Sequence, residues 1–134
     1  MGLPLDDELR QALEAPTFWH LATVNPDGSP QSTAVWVHTR DNRILVNTAI
    51  GRKKYRNITR DPRVALSFHE TTEQGYRSWG LQGRAVETIV GEQAEADIDM
   101  LAQKYIGVSP YPWRSPGERR VTFLIELTHA FRMG

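Results

Sequence analysis

Three consecutive β-segments joined by short turns occupy residues 18–48, and they restrict the fold more than any other part of the chain. The sequence there is FWHLATVNPDGSPQSTAVWVHTRDNRILVNT. Pro26, Asp27 and Gly28 are turn formers, and the polar stretch TRDN separates the second segment from the third. Between Ser32 and His38, apolar residues occupy both alternating positions, so both faces of this strand should be covered. The pattern predicts an antiparallel meander whose second strand has the core on one face and a ligand or a second subunit on the other.

Three further β-segments complete the predicted sheet. They are RVALSF at 63–68, YRSWGLQGRAVETIV at 76–90 and RRVTFLIEL at 119–127. Apolar residues at helical spacing predict helices over 4–15 and about 92–106, the second closed by Gly107. About six β-segments with interspersed helices predict a mostly β fold, a small antiparallel barrel, rather than alternating β-α units. At 134 residues the chain is expected to form a single domain over 1–134.

The composition excludes several classes of site. Cysteine is absent, which removes disulfides, thiolate catalysis and zinc sites built on cysteine. No apolar run approaches the ~20 residues of a membrane span, and the start MGLPLDDELRQ lacks the order of a secretion signal. The formal net charge is zero, whereas a nucleic-acid-binding domain is expected to be basic. We therefore expect a cytoplasmic protein that binds neither membrane nor nucleic acid.

A basic stretch, GRKKYRNITRDPRVALSF at 51–68, contrasts with this neutral total. It holds one anion and six cations, which are Arg52, Lys53, Lys54, Arg56, Arg60 and Arg63. The first three follow a Gly-containing turn and open a short helix, where free backbone N–H groups and the helix dipole add to the side-chain charge. This arrangement suits a phosphate. A solvated helix face is the alternative interpretation, and a short nucleic-acid contact is a weaker one.

Motifs for catalysis by the protein's own side chains are missing. The sequence has no Gly-rich phosphate loop, no His-Glu-x-x-His and no Gly-x-Ser-x-Gly. The four histidines lie far apart, and none has metal-ligand spacing. We therefore predict no metal site and no catalytic side chain. Any reactivity is expected to come from a bound organic cofactor that the protein positions.

Three motifs together, FWHLATVNPDGSPQSTAVWV, ILVNTAIGRKKYRNITRDPRVALSF and GLQGRAVE, resemble the flavin-binding split-barrel proteins of the pyridoxamine 5'-phosphate oxidase type. The subgroup to which the chain is most similar comprises actinobacterial oxidoreductases that use the deazaflavin coenzyme F-420. The resemblance extends over about 18–127. It implies a six-stranded antiparallel split β-barrel of the FMN-binding type. It also implies a homodimer with equivalent cofactor sites between the subunits.

The resemblance assigns residues to the cofactor site. The family's phosphate-binding lysines match Lys53 and Lys54, with Arg52 beside them. The strand that runs along the flavin or deazaflavin ring matches Ser32, Thr33, Ala34, Val35, Trp36 and Val37.

Further site residues come from three other parts of the chain. Asn47 and Thr48 match the polar end of the next strand. Ser78 falls where the vitamin B6 oxidases place a flavin-contacting glutamine. Aromatic candidates for the wall of the substrate pocket, beside Trp36, are Trp79, Tyr111 and Trp113.

The resemblance implies an oxidoreductase that transfers hydride from reduced coenzyme F-420, an 8-hydroxy-5-deazaflavin, to a small unsaturated or conjugated acceptor. An FMN-dependent oxidoreductase and a non-catalytic flavin- or deazaflavin-binding protein are the alternatives. The vitamin B6 oxidases carry basic residues at both ends of the ring-lining strand, where this chain has Ser32 and Val37. These uncharged residues favour F-420 over FMN and argue against pyridoxamine phosphate as the substrate.

Overall fold

The computed structural model describes residues 2–133 and is mostly β, as predicted. Its strands are β1 (Trp19–Val24), β2 (Pro30–Val35), β3 (Val37–Arg40), β4 (Arg43–Ala49), β5 (Arg63–Thr72), β6 (Gly75–Val90) and β7 (Arg120–Met133). Its helices are α1 (Asp7–Glu14), α2 (Lys53–Arg60) and α3 (Glu92–Ile106). Every strand pairing is antiparallel. Within 2–133, no helix has the length and apolar character needed to cross a membrane.

The chain passes directly from one edge of the sheet to the other at Trp36. The strand order is β2-β1-β5-β6-β7-β4-β3, so β2 and β3 are the two edge strands. Trp36 alone separates them in the sequence, and consecutive Cα atoms are only about 4 Å apart. The end of β2 and the start of β3 therefore meet at this corner, where the sheet curls round on itself to form the barrel. The predicted strand Ser32–His38 is thus two strands with different neighbours, which is why residues 2–133 contain seven strands instead of the predicted six.

The barrel interior contains most of the apolar core. Trp19 is fully buried and stacks on Phe68, with the ring centroids 5.0 Å apart. Leu9 and Leu13 of α1 are buried in the same cluster. The side chain of Asp6 accepts a hydrogen bond from the Leu9 N–H at 2.8 Å and caps α1. This cap explains why the helix begins at Asp7, later than the predicted position 4.

A second apolar cluster lies between α3 and the outer face of β4 and β7. Leu45 and Leu124 come from the two strands, and Ile98 and Leu101 come from the helix. Both faces of β4 and β7 are consequently covered. The helix ends at Gly107, whose left-handed conformation (φ 69°, ψ 21°) favours glycine. Tyr105, near the end of this helix, stacks on Trp36, so the loop that follows, 107–118, starts near the corner at Trp36.

A buried ion pair fastens α3 to the sheet. The carboxylate of Asp97, a residue that is 2% exposed, accepts hydrogen bonds from Arg40 at 3.2 and 2.5 Å and from Thr122 at 2.7 Å. Burial acts to raise the pKa of Asp97, but the hydrogen bonds from Arg40, Thr122 and Gln93 outweigh it and hold the pKa below its ordinary value. These contacts of Asp97 fix the position of α3 against β3 and β7.

Candidate functional site

A cavity of about 170 Å³ lies where the ends of β4 and β7 meet the start of α2, the corner at Trp36 and the 107–118 loop. Its polar lining consists of Asn47, Thr48, Arg52, Lys54 and Arg120. Its apolar lining consists of Ala34, Val35, Trp36, Ile98, Leu101, Tyr111 and Trp113. Nine of these twelve residues belong to the site predicted from the sequence, and the fold brings them together from four separate segments.

Lys54 is the cation in this cavity that lacks a partner. It is half-buried, and within residues 2–133 its ammonium group forms no hydrogen bond or ion pair. Burial, followed by the positive charges of Arg52 and Arg120, lowers the pKa of Lys54 below its ordinary value of 10.5. A half-buried cation close to other cations is unfavourable until an anion binds. Lys54 therefore indicates an anion site.

The first turn of α2 adds backbone donors next to Lys54. Arg52 is the N-cap residue, with φ −73° and ψ 160°, and its side chain makes no capping hydrogen bond. The backbone N–H groups that open a helix have no partner inside the helix, and the dipole places partial positive charge there. Side-chain and backbone donors thus point to the same kind of ligand, a phosphate or another oxyanion.

Arg120 and Glu118 belong to the site but were not predicted. Arg120 is 3% exposed, and its Nε donates to Asn47 Oδ1 at 2.9 Å. Glu118 accepts from Arg120 at 3.1 Å with one carboxylate oxygen and from Arg52 at 3.0 Å with the other. Arg52 and Arg120 share this one carboxylate, and Lys54 adds a third cation, so these four side chains carry a formal excess of two positive charges. The sequence signal was only a charged residue opening an otherwise apolar strand, and that signal is not specific.

An aromatic cluster stands beside these cations. The Trp36 ring centroid lies 6.1 Å from that of Tyr111 and 6.3 Å from that of Trp113. The Tyr111 N–H donates to Asp99 at 2.8 Å, which ties the loop to α3. Trp113 is 60% exposed at the edge of the cavity. The cluster offers aromatic faces against which a planar ligand can stack.

Two neighbouring residues of α3 hold the corner of the barrel. Tyr105 stacks on Trp36 with the ring centroids 5.3 Å apart, and its hydroxyl accepts from the Val37 N–H at 3.1 Å and donates to the Thr17 carbonyl oxygen at 2.7 Å. Lys104 donates to the Val37 carbonyl oxygen. Burial lowers the pKa of Lys104 to about 8 and raises that of Tyr105 to about 12. Both backbone groups of Val37 are engaged within the chain, and its side chain is fully buried in the barrel core. Val37, a predicted cofactor residue, therefore does not line the cavity.

Three other predicted cofactor residues also lie outside the cavity lining. Ser32 is exposed on the edge strand β2. The Thr33 hydroxyl is buried and finds no hydrogen-bond partner in the part of the chain that the structure describes. Lys53 is exposed, and its charge acts on Asp27 at the tip of the β1–β2 turn. Of the predicted lysine pair, only Lys54 lines the cavity.

Ser78 and Trp79 lie on β6, away from the cavity. They line a separate concavity of about 490 Å³ together with Phe18 and Phe131. Trp79 is 3% exposed, and its ring lies 6.5 Å from that of Trp19 in the core. Trp79 therefore does not form the wall of the cavity at Lys54, because its side chain fills the barrel interior instead.

The later cations of the basic stretch have partners of their own. Arg56 and Arg60 donate to backbone carbonyl groups of the chain. Arg63 pairs with Asp61 at 2.7 Å. Only the beginning of the basic stretch therefore faces the cavity.

Comparison with known proteins places the chain in a family. The pyridoxamine 5'-phosphate oxidase family matches residues 5–129. The chain belongs to this family. A curated relative, the pyridoxine/pyridoxamine 5'-phosphate oxidase of Rubrobacter xylanophilus, is 38% identical over 88 residues, which are 64% of this chain and 41% of that protein. The chain thus spans less than half the length of that relative.

Solved structures share the fold over nearly the whole chain. An F420 reductase is 29% identical with a TM-score of 0.76, covering 91% of this chain and 94% of its own. The conserved hypothetical protein Rv2991 from Mycobacterium tuberculosis is 23% identical with a TM-score of 0.76, covering 98% of this chain and 85% of its own. The predicted split-barrel fold of flavin-binding oxidoreductases is therefore confirmed for this chain.

Proposed function

We propose that this protein is an oxidoreductase that binds the deazaflavin coenzyme F-420 in the cavity at Lys54 and uses it to reduce a small conjugated acceptor. The observation that carries the proposal is Lys54 itself, a half-buried and unpartnered cation in a cavity with an excess of positive charge. The F420 reductase with the same fold supports a deazaflavin as the cofactor.

The residues present fit a phosphate-bearing flavin or deazaflavin. Lys54, Arg52 and the N–H groups that open α2 would hold the phosphate. Because β2 is an edge strand, some of its N–H and C=O groups face away from the sheet and would bond the polar edge of the ring. When bound, F-420 supplies a two-electron hydride donor.

The chain itself would bind, orient and shield rather than transfer protons. The cations would hold one end of the ligand. Trp36 would limit how far the ring of the ligand extends into the cavity. Ile98 and Leu101 make part of the lining apolar, and Trp36 and Tyr111 would cover the acceptor and exclude water. No step of the proposal requires a nucleophile or a metal ligand from the protein.

We further propose that a homodimer completes the site. A cavity of about 170 Å³ is smaller than the roughly 300–1,000 Å³ of pockets that enclose ligands of this size. Phe18 and Phe131, 63% and 64% exposed, flank Ser78 on the outer face of the sheet and offer apolar surface to a second copy. Sedimentation at micromolar concentrations with F-420 present should give a dimer. A monomer that retains full F-420 affinity would contradict this part of the proposal.

Titration of the protein with F-420 and with FMN, followed by cofactor fluorescence, tests the assignment of the cofactor. We expect a lower dissociation constant for F-420. Clearly tighter binding of FMN would reject F-420 and support the FMN-dependent alternative.

A single-turnover experiment separates an enzyme from a binding protein. Protein loaded with reduced F-420 is mixed with a panel of quinones and other conjugated acceptors in a stopped-flow instrument. We expect reoxidation of the coenzyme that is faster than in the absence of protein for at least one acceptor. Equal rates with and without protein across the panel would leave the binding protein as the better description.

A further inference from the structure

Arg120 is a buried cation whose hydrogen-bonding capacity is only partly used. Its side chain is 4% exposed, and burial of a guanidinium is costly unless its charge and its donors are matched. A guanidinium carries five N–H donors. Nε donates to Asn47 and Nη1 to Glu118, whereas Nη2 forms no hydrogen bond to any residue of 2–133. The remaining donors belong to a residue that lines the cavity.

Asn47 fixes the orientation of the Arg120 guanidinium group. The Asn47 Nδ2 group donates to the Ala94 carbonyl oxygen and to Thr122 Oγ1, both at 3.0 Å. With both donors engaged, the amide has one orientation, in which Oδ1 faces Arg120 Nε at 2.9 Å. Both donors of the Asn47 side chain are thus used within the part of the chain that the structure describes. Asn47 was predicted to contact the cofactor, but this geometry makes its side chain a support for the guanidinium.

Glu118 lowers the positive charge of the cavity by one but does not neutralise it. Its side chain is 6% exposed, and its two oxygens bridge Arg52 and Arg120. One carboxylate therefore holds two arginines at the same wall of the cavity, and Lys54 completes the set. On its other side, the Arg120 guanidinium carbon lies 5.2 Å from the Tyr111 ring centroid. Arg120 stands between the cationic end of the cavity and its aromatic wall.

We propose that Arg120 is a direct ligand of the cofactor's phosphate and that Asn47 is the residue that positions it. This inference rests on the proposed function and extends the anion site to the start of β7, a part of the chain that the family motifs in this sequence do not include. A fixed, fork-shaped donor matches a phosphate better than a flexible lysine does. Arg120 would therefore determine where the phosphate lies, while Lys54 adds charge.

Pairs of cofactors with and without the phosphate isolate this contact. FMN is compared with riboflavin, and the 5'-phosphate of 8-hydroxy-5-deazariboflavin with 8-hydroxy-5-deazariboflavin itself, by fluorescence titration of the same protein. The ratio of the two dissociation constants is the phosphate preference. We expect Arg120→Gln to lower this preference by about tenfold or more, with the affinity for the phosphate-free partner changed little, since a hydrogen bond between charged groups is removed.

The matched control is Arg119→Gln, which removes the same charge from the neighbouring exposed residue and should leave the preference unchanged. Arg120→Lys keeps the charge and should restore part of the preference. If Arg120→Gln does not fold, as judged by circular dichroism, Asn47→Asp decides, because a carboxylate beside Nε neutralises the guanidinium and should also lower the preference.

The possible failures can be told apart. A wild-type protein that binds neither FMN nor F-420 refutes the proposed function and the role of Arg120 with it. A wild-type protein with a clear phosphate preference that Arg120→Gln retains, or that Asn47→Asp retains where Arg120→Gln is unfolded, refutes the role of Arg120 alone. An equal loss of affinity for both members of each pair also refutes it, since a merely structural role would act on both.

Discussion

Replacement of Lys54 by methionine should have opposite effects on cofactor binding and on stability. The Lys54→Met side chain keeps most of the apolar stem and removes the ammonium group. A hydrogen bond to a charged group contributes about 1.5–3 kcal/mol. F-420 should therefore bind roughly 10- to 150-fold more weakly to the variant. Isothermal titration calorimetry of the purified protein with F-420 measures this change directly.

The protein without cofactor should become more stable in the same variant. Lys54 is half-buried, unpartnered within 2–133 and opposed by two arginines, so its charge disfavours the folded state. Relief of such a charge commonly stabilises by about 0.5–2 kcal/mol. Urea denaturation at pH 7 should accordingly show a higher midpoint for Lys54→Met than for the wild type.

The pH dependence of this difference has a definite sign. Because the pKa of Lys54 is lower in the folded state, the unfolded chain binds more protons between that pKa and the ordinary value of 10.5. Wild-type stability therefore rises with pH in this interval, and the advantage of Lys54→Met should shrink as the pH approaches 10.5.

Lys53→Met is the matched control, because Lys53 is the exposed neighbour beside Asp27 and does not line the cavity. We expect less than about 0.5 kcal/mol of change in either measurement, as for most exposed substitutions. Lys54 is not the phosphate ligand if Lys54→Met binds F-420 as tightly as the wild type does. Lys53 holds the phosphate instead if Lys53→Met loses the larger share of affinity.

Three substitutions test the scaffold around the site, each by urea denaturation. Gly83→Ala should destabilise by about 1–3 kcal/mol, since the added Cβ would lie 2.5 Å from a backbone oxygen of β7, whereas Gly80→Ala meets open space and should change little. Equal midpoints for the two variants would contradict the close approach. Asp97→Asn should cost about 3–5 kcal/mol because Arg40 loses its charge partner, and the difference should shrink as the pH falls below 3.8 toward the lowered folded-state pKa. A difference that persists undiminished at low pH would show that the ionised pair is not its source. Tyr105→Phe keeps the ring that stacks on Trp36 but leaves the Val37 N–H without its hydrogen-bond acceptor, at a cost of about 1–3 kcal/mol. Wild-type stability in this variant would mean that water replaces the hydroxyl.

Much of the candidate site could be predicted because it follows local patterns. The basic residues that open α2 directly follow a glycine turn and the end of a strand, so their position at a helix N-terminus follows from a few adjacent residues. The ring-lining segment at 32–37 is marked by apolar residues of both parities, and the motifs around it carry the family resemblance. These signals place Lys54, Ala34 and Trp36 in one cavity.

Other parts of the site were missed because they arise between distant segments. Arg120 lies 73 positions from Asn47, and no local pattern reports that the two side chains meet. Val37 was assigned to the cofactor because the family resemblance assigns the whole segment 32–37 to the strand along the ring. Its backbone is instead engaged by Lys104 and Tyr105, 67 and 68 positions away.

The sequence by itself determined most of the elements, their antiparallel character and the chemistry of an oxyanion site, because strand alternation, turn residues and charge act over a few neighbouring residues. Only the tertiary structure decided that β2 and β3 occupy opposite edges and that the sheet closes at Trp36. The tertiary structure also decided that Lys54 and not Lys53 lines the cavity, and that Arg120 lines the same cavity. These choices depend on contacts across the closed barrel, where burial and shared hydrogen bonds select one arrangement that local sequence leaves open.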